Sequence, residues 1–362
     1  MVWRQKMTKN KQAEAYFKRG VAEDELKNHD AAIQDYNKAI ELDHQYVEAY
    51  FERAETKSLL KDEVGAIEDY SKVIELDPKH SSAYYGRGDA KISLGDNTGA
   101  IQDLDKAIKL KPDKFAGAYW NRGRAKWSLG DHNGAIQDYN KAITQYPDFA
   151  IAYYYRANSK NKLGDQKGAI QDYNKAIALD PKFVEAYLVR GIFKCSLGYN
   201  KEAIEDYNKV IEMDPKHSLG YCYRAGAKKL LEDFTGAIQD CNKAIEINPK
   251  FADAYNVRGL AKDKLGDKKG AVIDYNKAIE LNPKLAAAYC NRADLTDTKG
   301  AIKDYSKAIE LNPKYSEAYF LRATVKLMLE DREGALEDLS KAGELGYSVA
   351  YEVIKKIQNK EL

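Results

Sequence analysis

The sequence predicts an all-α chain: ten copies of one helix pair, stacked as a solenoid and closed by a last helix. Two observations carry this. All eight prolines, Pro78, Pro112, Pro147, Pro181, Pro215, Pro249, Pro283 and Pro313, fall at one phase, with gaps of 34, 35, 34, 34, 34, 34 and 30 residues. Ten tyrosines keep the same period, Tyr16, Tyr50, Tyr84, Tyr119, Tyr153, Tyr187, Tyr221, Tyr255, Tyr289 and Tyr319, each followed three residues on by arginine. A repeated unit of this length cannot bury its apolar face alone, so neighbouring copies must stack.

Residues 255–288 show how one copy is written. A first helix is expected from about Ala254 to Leu265 and a second from about Gly270 to Leu281. Gly266 suits the position after a helix end, where positive φ carries no Cβ penalty. Asp267 suits the N-cap of the next helix. Asn282-Pro283 ends the second helix, because proline disfavours helical backbone at the residue before it. Nineteen residues after most marker tyrosines comes an aspartate, as Asp35, Asp172 and Asp338, inside an apolar frame such as Ala169-Ile170, Tyr173 and Ala176-Ile177.

Two copies depart from the period. One extra residue falls between Pro112 and Tyr119, and the ninth copy lacks four residues, losing its Leu-Gly-Asp turn between Arg292 and Gly300. The loss should shorten that first helix by about one turn. The expected division is a polar extension over 1–10, ten repeats over 11–346, and a helix with a short tail over 347–362. In the last segment Ala350, Val353, Ile354 and Ile357 have helical spacing.

The pattern resembles the tetratricopeptide repeat family, in particular bacterial-type arrays, on segments such as GAIQDYNKAIALDP at 168–181. Departures are arginine where that family often has leucine, and Lys57, Lys91, Lys126 and Lys160 where it often has tyrosine. The resemblance implies a right-handed superhelix with a concave groove and a terminal capping helix. It also allows one test of partner type. Family members that grip a C-terminal carboxylate use lysine, arginine and asparagine on three successive repeats. Here Asn121 matches, but Tyr85 and Asp89 precede it, and Ile151 and Tyr155 stand where cations are needed, so this clamp is not supported.

On a wheel of 100° per residue the invariant positions of the first helix (the tyrosine, the arginine, Gly/Ala four on, usually lysine seven on) share one half. Positions one, five and eight after the tyrosine lie opposite and vary between copies. Packing repeats with the repeat, whereas a ligand meets each copy differently. The varying face is therefore the candidate binding face, expected to be solvent-facing, and the resemblance places the family's groove there too. It carries Tyr85 and Ile92, Trp120 and Trp127, Tyr154, and Leu188 and Ile192, with Phe17, Phe51 and Phe320 at the same phase nearer the ends. Central aromatic anchors of this kind dominate many interfaces. The invariant arginines and aspartates are expected to form a structural ladder of partly buried ion pairs.

Composition narrows the classes. Lys+Arg 58 against Asp+Glu 56 leaves a net charge of +2, so no global field recruits nucleic acid or an anionic membrane. Apolar runs are too short to span a bilayer. Met1 to Gln12 contains no apolar core segment of a signal peptide, and Cys195, Cys222, Cys241 and Cys290 show no CxxC spacing. Both point to the cytoplasm. The closing Lys-Glu-Leu is taken as coincidence rather than an ER address. GxxxxGK[ST], GxSxG and HExxH are absent, and His29, His44, His80, His132 and His217 have no metal-ligand spacing. No enzyme, metal or cofactor is expected.

The sequence thus predicts a non-enzymatic scaffold or adaptor that holds a peptide or helical segment of a partner protein near repeats three to six. The alternative is single-stranded nucleic acid stacked on Tyr85, Trp120, Trp127 and Tyr154. Asp89, Glu55 and Asp263 on the same face weigh against it.

Overall fold

A computed structural model describes residues 2–112 and 115–359, with side chains from Asn10 onward. Among the described residues there are 21 helices and no strand: ten antiparallel pairs and one last helix. The fold is an α-solenoid. Contacts divide it into two compact units, one ending at Phe183 and one beginning at Val184. Each unit holds five helix pairs, and the second also holds the last helix. Backbone from Val2 is helical and runs without a break into repeat one, as Val2–Glu25. Asp113 and Lys114, beside the inserted residue, and the closing Lys360-Glu361-Leu362 lie outside the described residues. Across that insertion Gln145 fastens both sides, its Nε2 donating to the Pro112 carbonyl at 2.7 Å and its Oε1 accepting from the Phe115 amide at 3.0 Å.

The hairpin chemistry is as the sequence implies. In repeat eight the helices are Ala252–Lys264 and Lys268–Leu281, each starting two residues earlier than expected. Gly266 has φ +88°, and Asp267 caps the second helix by accepting from the Gly270 amide at 2.9 Å. The same aspartate-to-glycine cap recurs from Asp62 to Asp331. Small residues permit close helix approach: a Cβ on Gly123 would meet the Tyr139 ring at 2.5 Å, and one on Gly191 would meet Tyr207 at 2.6 Å. Tyr36, Tyr70, Tyr139, Tyr173, Tyr207, Tyr275 and Tyr305 are accordingly among the largest fully buried side chains, or nearly so.

Arginine and aspartate pair within every repeat. Arg156 Nε and Nη2 donate to Asp172 at 2.8 and 2.6 Å, while Nη1 reaches back to Asn140 of the preceding repeat at 2.6 Å. Lys160 adds a second cation to Asp172 at 2.8 Å. The guanidinium lies 5.1 Å from the Tyr153 ring centroid, the marker tyrosine of its own helix. This explains why tyrosine, arginine and lysine recur at 0, +3 and +7: they line one helix face against one buried carboxylate. The lattice thins at two places. Arg19 hydrogen-bonds to Asp35 alone among the described residues, and its side chain stays 61% exposed. In the ninth repeat the first helix is cut to Ala286–Ala293, and Asp304 keeps Arg292 without a lysine.

The last helix, Val349–Gln358, buries Ala350 and Ile357 against Ala335, Leu339 and Ala342. In phase with the repeats, Ile354 stands where the lattice arginine would be.

Candidate functional site

First helices of successive repeats lie side by side within each unit. In the first unit this places Tyr85, Trp120 and Tyr154 at equivalent positions on three neighbouring helices, Ser81–Ser93, Ala116–Ser128 and Ala150–Lys162. Ile92 and Trp127 sit two turns further along the first and second of these. Leu188 and Ile192 belong to the second unit, half-buried against Ala203, Tyr207 and Ala227.

The expectation that this face is solvent-facing is corrected. Tyr85, Ile92, Trp120, Trp127 and Tyr154 are each half-buried. The Trp120 ring lies 5.7 Å from Phe149 and 6.2 Å, edge-on, from Tyr155. The Arg124 guanidinium sits 4.8 Å from the centroid of its ring. Tyr85 packs on Phe115 at 4.9 Å and Tyr154 on Phe183 at 5.0 Å. The same pairing recurs in Phe17 with Tyr46, Phe51 with His80 and Phe320 with Tyr347. The position after the marker tyrosine is thus also a junction position. Its partner is the residue four before the next marker tyrosine. Trp127 turns elsewhere, toward His132 at 6.2 Å, at the start of its own second helix. The two tryptophans therefore engage different neighbours instead of forming one stack.

Polar groups around repeat four are unevenly satisfied. Asn121, buried, donates from Nδ2 to Asp89 at 2.9 Å and accepts from Arg124 Nη1 at 3.0 Å. Arg124 and Asp89 approach to 3.6 Å. Yet Trp120 Nε1, Trp127 Nε1, His132 Nδ1 and the Tyr139 hydroxyl are enclosed with no hydrogen-bond partner among the described residues. The reason at Tyr139 is visible by comparison. Tyr70 and Tyr173 donate to Glu55 and Asn158, five residues after the marker tyrosine. In repeat four that position is Arg124, which cannot accept. Burial, first of all, raises the pKa of Tyr85 and of Tyr139 above the ordinary phenol value, which keeps both protonated.

The thiols offer no reactive pair. The Cys195 thiol donates to Asn200 Oδ1 at 3.2 Å, while Cys222 is buried in a separate cluster with Ala244 and Ala254. Burial pushes Cys222 and Cys290 up to about 12. Among the described residues no group of three histidine, cysteine or carboxylate side chains could hold a metal, and no helix is long and apolar enough to cross a membrane.

Family models match most of the repeats. Residues 13–46 and 252–285 match one described as tetratricopeptide repeat, 47–80 and 184–217 match a second so described, and 88–130, 123–164 and 157–193 match one described as TPR repeat. No curated protein matches the chain in sequence. Among solved structures, a tetratricopeptide repeat protein from Parabacteroides merdae is 20% identical, covering 68% of this chain and 98% of its own, with TM-score 0.56. The Cut9–Hcn1 hetero-tetramer of the APC/C is 17% identical, covering 86% and 76%, with TM-score 0.54. Yeast Tom70 is 21% identical, covering 98% and 96%, with TM-score 0.49.

Proposed function

The chain belongs to the tetratricopeptide repeat family and is a scaffold for protein–protein interaction, and we propose that its first unit holds a peptide or helical segment of a partner against the first-helix face centred on Trp120. The observation that carries this is the row Tyr85, Trp120, Tyr154, amphipathic rings on adjacent helices, half-exposed, beside indole and phenol donors that lack acceptors. A partner segment would cover apolar ring area and offer carbonyl oxygens to those donors once the rings shift. Ile92 and Trp127 extend the surface along the helix axes, and Leu188 and Ile192 provide its counterpart in the second unit. The role is non-enzymatic, the partner is protein rather than nucleic acid, and the cytoplasm is the expected compartment.

Because Trp120 also packs against Phe149, alanine would confuse binding with stability. Quantitative affinity purification should therefore compare wild type with Trp120→Phe plus Trp127→Phe, which keeps ring packing and removes both N–H groups. Retained thermal stability with loss of the captured partner supports the reading. Unchanged capture by this variant, and also by a Trp120→Glu variant that remains folded, refutes it.

A further inference from the structure

Repeats one to three carry carboxylates on the first-helix face that the ion-pair lattice does not neutralise. The lattice aspartates Asp35, Asp69 and Asp103 hold Arg19, Arg53 with Lys57, and Arg87 with Lys91. Those cations are thereby occupied on the other side of each helix. Asp24, Glu52, Glu55 and Asp89 stand apart. Asp24 meets His29 Nδ1 at 2.7 Å, Glu55 accepts from the Tyr70 hydroxyl, and Asp89 is shared between Asn121 and Arg124. The Glu52 carboxylate, half-buried, has no donor among the described residues. Burial, then the Glu55 and Asp24 charges, hold its carboxyl above the ordinary range. Asp89 and Glu55 bear together on Tyr85, after burial.

An acidic row alone would signify little, since exposed carboxylates are ordinarily solvated. Tyr36 supplies the independent observation. Its side chain is fully buried and its hydroxyl has no hydrogen-bond partner among the described residues. The hydroxyl lies within the field of Asp24, Glu52 and Glu25, which add to burial in raising its pKa. In repeats two and five the equivalent hydroxyl donates to residue +5, Glu55 or Asn158. In repeat one that residue is Val21, which offers nothing. A buried phenol oxygen without a partner among the described residues, within the field of a half-buried carboxylate without a donor, marks a site one hydrogen-bonding cation short.

We propose that this end of the first unit binds a cationic side chain, lysine or arginine, of the partner segment, seated between Asp24, Glu52 and Glu55 with the Tyr36 hydroxyl oxygen as a further acceptor. The proposal rests on the reading of the first-helix face given above and adds the ligand's charge: a basic residue at the repeat-one end, apolar residues toward Trp120. The same carboxylates repel a phosphate backbone. An ammonium brings three donors and a guanidinium five, against the three carboxylates and the phenol oxygen.

The test uses two fluorescein-labelled peptides of equal length around a Trp-Leu core, one flanked by lysines and one by glutamates, titrated into the full chain. The lysine peptide should bind about tenfold more tightly or better, with affinity falling steeply as salt rises. In Glu52→Gln plus Glu55→Gln the preference should collapse to within about threefold. Removing one of several crowded like charges should also leave Glu52→Gln with a melting temperature equal to or above wild type. Equal binding of both peptides, no binding of the lysine peptide at low salt, a preference that survives the double variant, or a destabilised Glu52→Gln overturns the proposal. The Trp120→Phe plus Trp127→Phe protein separates the two readings. If it and a folded Trp120→Glu variant both bind the lysine peptide like wild type with the preference intact, the aromatic reading fails alone. If it loses affinity for both peptides equally, the aromatic reading stands whatever the preference shows.

Discussion

Replacing Arg156 by alanine should destabilise repeat five by about 3 kcal/mol, because it removes most of the partners of a carboxylate that cannot return to water. Asp172 is 4% exposed, and two of its three charge-assisted hydrogen bonds come from Arg156. Lys160 at 2.8 Å remains, which keeps the cost below that of a fully orphaned buried ion. The bond from Nη1 to Asn140, the only one of the set that crosses to repeat four, is lost as well, worth about 1 kcal/mol. The ring contact with Tyr153 adds about 0.5 kcal/mol. Arg19→Ala is the internal control. That side chain is 61% exposed and bonds to no second repeat among the described residues, so its loss should be a small fraction of the Arg156 effect. Native-state hydrogen exchange over residues 150–179, with denaturant titration of both variants, reads the difference. Equal effects of the two substitutions, or an Arg156→Ala protein indistinguishable from wild type, would refute the view that the ladder holds the repeats.

Further outcomes follow from the same contacts. Tyr173→Phe should cost about 1 kcal/mol because it strands Asn158, whereas Tyr139→Phe should be neutral or stabilising, since its hydroxyl has no partner; paired denaturation curves decide. Hydrogen exchange should show residues 286–311 opening before the other repeats of the second unit, because the first helix there has eight residues and Asp304 has lost its lysine; uniform protection of that unit would contradict this. Stability should hold below about pH 8.5 and fall as pH rises toward 12. Cys222 and Cys290, pushed up to about 12 by burial, must keep their protons in the folded state, and the unfolded chain releases them earlier. Unchanged denaturation midpoints between pH 8 and pH 11 would count against that linkage.

Much of the fold was legible because each copy states it again. The proline phase gave the helix ends, Gly266 and Asp267 gave the hairpin, and arginine at +3 with aspartate at +19 gave the ion pair. The site was less legible for a physical reason. Variation between copies suggests freedom from packing, yet in six repeats the residue after the marker tyrosine packs on a residue that varies with it, as Phe17 on Tyr46, Tyr85 on Phe115 and Trp120 on Phe149. The signal was present as the aromatic or histidine four before most marker tyrosines. It was missed because a helical wheel shows only one helix, and this contact lies between two repeats. The asparagine two after the lattice aspartate, as Asn140, was likewise visible, but its role as acceptor for the next repeat's arginine depends on stacking. Orphaned groups such as the Tyr36 and Tyr139 hydroxyls emerge only from comparing equivalent positions in three dimensions.

The central claim, that the first-helix face of the first unit receives the partner, is tested most directly by site-specific photo-crosslinking. A photo-reactive residue placed at Arg124, beside Trp120, is compared with one at Lys141, exposed on the second helix of the same repeat. Partner peptides should cross-link from position 124, in reduced yield with Trp120→Phe plus Trp127→Phe, and little from position 141. Equal yields from both positions, or capture from 141 alone, would contradict it.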